Sequence, residues 1–230
     1  ISRQGRPMSD GQLTPGIFDG MGAFRGSRGR TILIRNHENR EQAGEMKLFA
    51  GPHEYDNVMF GGNTKLELRR RRAGRDPITG QALYEYEVER DFVILAGTST
   101  NCAGGIVGRS WISCEEVVKG PSQEPGTTFY APKRHGYTFE IAADADGPVD
   151  AVPIPATGRF VHEAVSWSGG ILYLTEDRRV QPDPRLGQIG GCFYRYIPED
   201  FRPNDGSGGD DFGRDDDRDR VSDVAPYAGR

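Results

Sequence analysis

Acids recur along this 230-residue chain where short apolar runs end. Glu38 follows Thr31-Ile-Leu-Ile-Arg-Asn-His37, Glu115 and Glu116 follow Ser110-Trp-Ile-Ser-Cys114, and Glu176 and Asp177 follow Ile171-Leu-Tyr-Leu-Thr175. Glu163 stands inside a fourth run, Arg159-Phe-Val-His-Glu-Ala-Val165. Carboxylates brought together repel and raise one another's pKa unless a cation neutralises them. An oxygen-rich set with few histidines favours a hard cation, calcium or magnesium, over zinc. Cys102, in Asn101-Cys-Ala-Gly-Gly105, reads either as a small buried hydrophobe or as one soft thiolate ligand, which would point towards iron. His37 and His162 each precede a glutamate and read as ligands, as proton donors to a leaving group, or as hydrogen-bonded loop residues. Arg178 either pairs with Asp177 or offers a guanidinium to phosphate oxygens. Cys114 and Cys192 read as core.

These residues need elements that carry them to one place. Three of the apolar runs start at glycine, at Gly29, Gly108 and Gly169, and each has an apolar partner before and after it. A strand-rich unit repeated at irregular spacing predicts the blades of a β-propeller, with equivalent strand ends converging on one channel. The predicted class is all-β, with a polar entry over 1–18, a partial propeller over 19–200, and an Asp/Arg/Gly-rich tail over 201–230. Units fall at about 19–100, 101–158 and 159–200. The tail contains almost nothing that can be buried, so it reads as disordered. Ala82–Glu89 alternates and reads as an exposed outer strand, whereas Phe92–Ala96 is continuously apolar and reads as buried. Residues 118–132 and 152–156 are proline-rich and predict irregular chain. Three units do not close a ring, so an open arc is expected, completed by self-association or by the missing half of the propeller in a longer chain.

Composition excludes other classes. Glycine occupies 32 positions and hydrophobic residues make up 35%, which argues against a helical bundle. No apolar stretch suffices for a membrane span. A net charge of −5 gives no reason to expect a nucleic-acid partner, and the basic run Arg69–Arg72 reads as a solvated hairpin face. Three cysteines leave at least one unpaired and show no metal-finger spacing. A Gly-Lys-Ser/Thr phosphate loop, a Gly-x-Ser-x-Gly elbow and a His-Glu-x-x-His helix are all absent, so no serine nucleophile is indicated.

Six motifs in order, Arg35-Asn-His-Glu38, Asn101-Cys-Ala-Gly-Gly105, Trp111-Ile-Ser-Cys-Glu-Glu116, Arg159-Phe-Val-His-Glu-Ala164, Tyr173-Leu-Thr-Glu-Asp-Arg178 and Phe193-Tyr-Arg-Tyr196, resemble the PhoX-type bacterial alkaline phosphatases. The resemblance spans about residues 15–200 and implies about three blades of a six-bladed family fold. It implies an exported protein, periplasmic or secreted, that hydrolyses phosphate monoesters of small molecules with calcium and iron. Carried over by motif, Cys102 becomes the iron ligand. Glu38, Glu115, Glu163, Glu176 and Asp177 become candidates for the metal shell, with their division between iron and calcium open. His162 and Arg178 are candidate catalytic groups, and Asn36 and Asn101 candidate substrate-binding groups. Two alternatives remain beside the phosphatase: another calcium-dependent propeller hydrolase, lactonase-like, which shares the acids but does not need Cys102, and a non-catalytic calcium-stabilised module.

Overall fold

A computed structural model describes residues 1–121 and 129–198. The acidic tail therefore lies outside the described residues, as does part of the loop after Val118. The described chain is all-β, with 14 strands and three short 3-10 turns. Among the described residues no helix is long and apolar enough to cross a membrane.

Three antiparallel sheets carry the architecture, and none of them closes on itself. The first is a four-stranded meander of β1 (Phe18–Arg25), β2 (Arg30–His37), β3 (Gly61–Arg75) and β4 (Ala82–Thr98). β5 (Asn101–Val107) and β6 (Ser110–Glu115) belong to the second sheet. The chain then passes through a short parallel pair, β7 (Lys119–Gly120) and β8 (Phe129–Tyr130), before β9 (Thr138–Ala142) returns to complete the order β5-β6-β9. The third sheet contains β10 (His162–Ser168) and β11 (Ile171–Glu176). An excursion hairpin, β12 (Gln181–Asp183) and β13 (Gly187–Ile189), precedes its last strand, β14 (Phe193–Tyr196). The alternating and the continuously apolar runs that read as two strands are one, β4. Its first half stands in solvent and its second half in the core, so the residue pattern changes midway.

The sheets stack face to face through side chains that alternate along their strands. Ile32, Ile34, Phe92 and Ile94 of the first sheet meet Trp111, Phe139 and Ile141 of the second. The opposite face of the second sheet, with Ile112 and Cys114, packs on Val165, Leu172, Leu174 and Tyr196 of the third. A smaller cluster, in which Met8 and Leu48 cover Val93 and Ala96, closes the outer side of the first sheet. Cys114, in mid-strand, is fully buried as expected, but Cys192 is exposed, because it leads into β14, the edge strand of the third sheet.

The leading strands of the three sheets lie side by side, β5 between β1 and β10. Their backbones approach so closely that a Cβ on Gly20 would sit 2.7 Å from Ala103 Cα, and one on Gly105 would sit 2.1 Å from Val165 O. Glycine is needed at both points because any side chain would wedge the sheets apart and separate their strand ends.

Candidate metal centre

Each leading strand carries a bulge at the same register. Phe18 pairs with His37 and Met21 with Arg35, leaving Asp19 and Gly20 opposite Asn36. Asn101 pairs with Glu115 and Gly104 with Ser113, leaving Cys102 and Ala103 opposite Cys114. His162 pairs with Glu176 and Val165 with Leu174, leaving Glu163 and Ala164 opposite Thr175. A bulge turns one side chain out of the pleat, and here the side chains so placed are Asp19, Cys102 and Glu163.

The same register aligns the second strands. His37, Glu115 and Glu176 are equivalent, and so are the residues that follow them: Glu38, Glu116 and Asp177. The backbone N–H of each follower donates to the residue just before its leading strand: Glu38 to Ile17 O at 2.9 Å, Glu116 to Thr100 O at 2.9 Å, and Asp177 to Val161 O at 3.1 Å. Ile17 and Thr100 hold φ of 46° and 53°, a conformation that β-branched residues adopt only at a cost. Three sheets therefore present two acid- or thiol-bearing positions each, at one end of the stack.

Cys102, Glu116 and Glu163 place one ligand atom each within 4.8 Å of one another. Cys102 Sγ lies 3.3 Å from Glu163 Oε1. Burial, then the charges of Glu163 and Glu38 and a hydrogen bond to Asp177, raise Glu116 to about 7. Burial also raises Glu38, with Asp19 and Glu163 adding to it against the opposing Arg40. Burial and the surrounding acids Glu116, Glu163 and Asp19 push the Cys102 thiol up as well. Electrostatics thus link all six positions into one cluster. An acid cluster that holds protons near neutrality, with a thiol at its centre, is short of positive charge, and this donor set fits a cation. A bound cation would also remove the proton from Cys102, since a coordinating thiol is a thiolate.

The other sequence-derived candidates lie around the cluster. Glu115 is fully buried and its oxygens are occupied: Oε1 accepts from Ser99 N at 2.9 Å and lies 2.7 Å from His135 Nδ1, and Oε2 accepts from Gly136 N at 2.8 Å and Tyr137 N at 3.1 Å. Glu176 accepts from the Tyr194 hydroxyl at 3.0 Å. Asn36 is a buried strut, donating from Nδ2 to Cys102 O and Ala103 O, both at 2.7 Å, and accepting from Trp111 Nε1 at 2.7 Å. Asn101 is also buried, bonded to Thr98 and Ser113. His37 bridges Gly16 O and Thr64 Oγ1, each at 2.8 Å. His162 is buried with its ring 3.7 Å from that of Phe160, and burial lowers it to about 4, so it is neutral at neutral pH. Arg178 is exposed, next to Asp177.

Asp19 escaped the reading of strand ends because it begins a strand rather than ending one. The shared signal is a ligand-capable residue followed by a small one: Asp19-Gly, Cys102-Ala and Glu163-Ala. A cavity of about 370 Å³, lined in part by Arg3, Arg6, Thr14 and Asp91, shares no residue with this cluster.

The raised acids have a measurable consequence. A carboxylate whose pKa is higher in the folded chain binds its proton more tightly there than when unfolded. Cation-free stability is therefore lost as pH rises from the unfolded carboxylate value through about 7, and is level above it. In chelator-treated protein, added calcium should raise the thermal midpoint by roughly 3 °C or more at pH 8 and by less at pH 5. Glu116→Gln should shrink that difference. Equal responses to calcium at both pH values would argue against the cluster as a cation site.

No curated protein matches the chain, and no solved structure matches it. Residues 1–212 do match the family described as alkaline phosphatase PhoX, a span that includes all three sheets and all six positions of the cluster. The chain belongs to the PhoX alkaline phosphatase family.

Proposed function

We propose that this chain is the site-bearing part of a metal-dependent phosphatase acting on phosphate monoesters, with its three sheets arranged as adjacent propeller blades. The observation that carries the reading is the threefold recurrence of one geometry, a bulge residue plus a residue after the second strand, which gathers Asp19, Cys102, Glu163, Glu38, Glu116 and Asp177. Family membership supports the phosphatase activity. The central place of Cys102 favours it over a calcium-only hydrolase, which has no use for a thiol.

These residues would hold calcium and iron. Bound there, the metals would supply positive charge against the phosphate oxygens and lower the pKa of a water. The chain itself positions the donors. Asn36 clamps the carbonyls of the Cys102 bulge, and the carbonyls of Ile17, Thr100 and Val161 fix the three following acids. Arg178, exposed beside Asp177, is assigned to bind the phosphate, whose oxygens match guanidinium geometry. His162, neutral and buried one residue before Glu163, is assigned to support that bulge. Export to the periplasm or beyond belongs to the same proposal and rests on the family.

The test is turnover of p-nitrophenyl phosphate by the full chain after incubation with calcium and ferric iron, with both metals counted by elemental analysis. Phosphate release accompanied by bound iron and calcium is expected. Hydrolysis confined to carboxylic esters or lactones would transfer the chain to the lactonase reading. A folded protein that binds calcium without any turnover would leave it a structural module.

A further inference from the structure

The end of the β3–β4 hairpin leaves the body of the protein. From Arg69 to Arg75 and from Leu83 to Glu87 every residue is exposed, on both faces of the ribbon. At a rise near 3.3 Å per residue this is an arm of roughly 20 Å. A two-stranded ribbon is marginal in water without something packed on it, and its two faces differ in chemistry.

Opposite residues of an antiparallel pair share a face. On one face Arg69 pairs with Glu87 at 2.6 Å and with Glu89 at 3.3 Å, and Arg71 pairs with Glu85 at 3.2 Å. That face is electrically balanced. On the other, Arg70 lies opposite Tyr86 and Arg72 opposite Tyr84, with the Arg70 guanidinium 4.4 Å from the Tyr84 ring. None of these four residues is an acid. Over residues 69–90 six arginines (69–72, 75 and 90) face four acids (Asp76, Glu85, Glu87 and Glu89), a net +2 within a chain of −5. The arm is a basic spot on an acidic protein.

Its tip, Asp76-Pro-Ile-Thr-Gly80, sets one exposed apolar side chain beside an acid. Asp76 Oδ1 accepts from the backbone of Ile78 at 2.9 Å and Thr79 at 2.7 Å, closing a turn that leaves Ile78 93% exposed. Leu83 is exposed close behind it. Arginines level with tyrosines behind an exposed isoleucine supply the chemistries of a membrane surface: anionic headgroups bind arginine, the interface accepts tyrosine, and the isoleucine at the tip reaches furthest in. Self-pairing through the open edge of β4 fits poorly, because antiparallel copies would set Glu85, Glu87 and Glu89 against one another.

We propose that the β3–β4 arm docks the protein on an anionic lipid surface, with Arg70, Arg72, Tyr84 and Tyr86 facing the headgroups and Ile78 entering them. The proposal is independent of the phosphatase reading. It is tested by sedimenting the full chain at low ionic strength with vesicles of phosphatidylcholine alone or mixed with phosphatidylglycerol. Pelleting with the mixed vesicles only is expected. Arg70→Gln with Arg72→Gln should lower the partition coefficient roughly 10- to 30-fold, and Ile78→Ser about 3-fold or more. All three side chains are exposed, so circular dichroism should be unchanged. No pelleting with the mixed vesicles would overturn the proposal, as would pelleting equal to wild type in the double arginine variant. Tight binding of a single-stranded oligonucleotide combined with no effect of Ile78→Ser would also overturn it, and would make the arm a general polyanion site.

Discussion

Cys102→Ser is expected to lower phosphomonoester turnover about 100-fold or more, since partners one step removed from a metal already cost about 10- to 100-fold, and to lower bound iron with it. The substitution keeps the side chain's shape and its place in the bulge, because the Asn36 clamp acts on the backbone carbonyls and not on sulfur. What changes is softness: an alkoxide is far harder to form than a thiolate, and a hydroxyl in an acid cluster stays protonated. Calcium, which the carboxylates can hold, should be retained better than iron. Two controls come from the same protein. Cys114→Ser puts a hydroxyl into the apolar contact between the second and third sheets and should cost about 1–3 kcal/mol of stability while leaving bound iron unchanged. Cys192→Ser changes an exposed residue and should leave both unchanged. Iron and turnover preserved in Cys102→Ser would remove the thiol from the site, and would reopen the calcium-only hydrolase.

The fold was legible where periodicity is local. The runs Ile32–Ile34, Trp111–Cys114 and Leu172–Leu174 announce strands because their alternate residues fill two sheet contacts, and their glycine starts mark the hairpins that pair them. Of the candidate cluster, Glu38, Cys102, Glu163 and Asp177 were named from the sequence, whereas Glu115 was named in place of Glu116. Glu38, Glu115 and Glu176 look equivalent because each is the first acid after an apolar run. Register is set by pairing, however, and places Glu115 with His37 and Glu176, leaving Glu116 and Asp177 as the partners of Glu38. Since side chains alternate across a strand, a slip of one residue exchanges a ligand for a core group. Glu115 illustrates the exchange: burial and four hydrogen-bond partners took it out of the cluster, and nothing in its immediate sequence separates it from Glu116. The bulges that re-aim Asp19, Cys102 and Glu163 were equally hidden, because a bulge is a relation between two strands and appears in neither alone.

Glu115 accordingly carries the second large expectation, which concerns stability. Its carboxylate joins the turn at Ser99, the end of β6 and the loop at His135–Tyr137, with the buried His135 held between it and Asp56, whose Oδ2 lies 3.4 Å from Nε2. Removing one member of such a buried pair leaves the other charge uncompensated, so Glu115→Ala should cost about 3–5 kcal/mol, or roughly 10 °C in thermal midpoint. Glu115→Gln keeps the volume but sets an amide N–H2 among N–H donors, and should recover only part of the loss. The pH dependence identifies the ion pair. Burial alone would lower His135, but Glu115 and Asp56 outweigh it and leave the folded pKa raised. A raised histidine contributes its full stabilisation below the unfolded value near 6.5, and that contribution is lost as pH rises through the folded pKa. The difference between wild type and Glu115→Gln, measured by urea unfolding, should therefore be larger at pH 6 than at pH 9, because the charge of His135 contributes in full only at the lower pH. A difference independent of pH would mean that His135 is neutral in the folded chain and that Glu115 acts through the amides alone. In either case Glu116 follows directly in sequence, with its N–H fixed to Thr100 O. Loss of the Glu115 anchor should therefore weaken calcium binding at the cluster although Glu115 itself never reaches it.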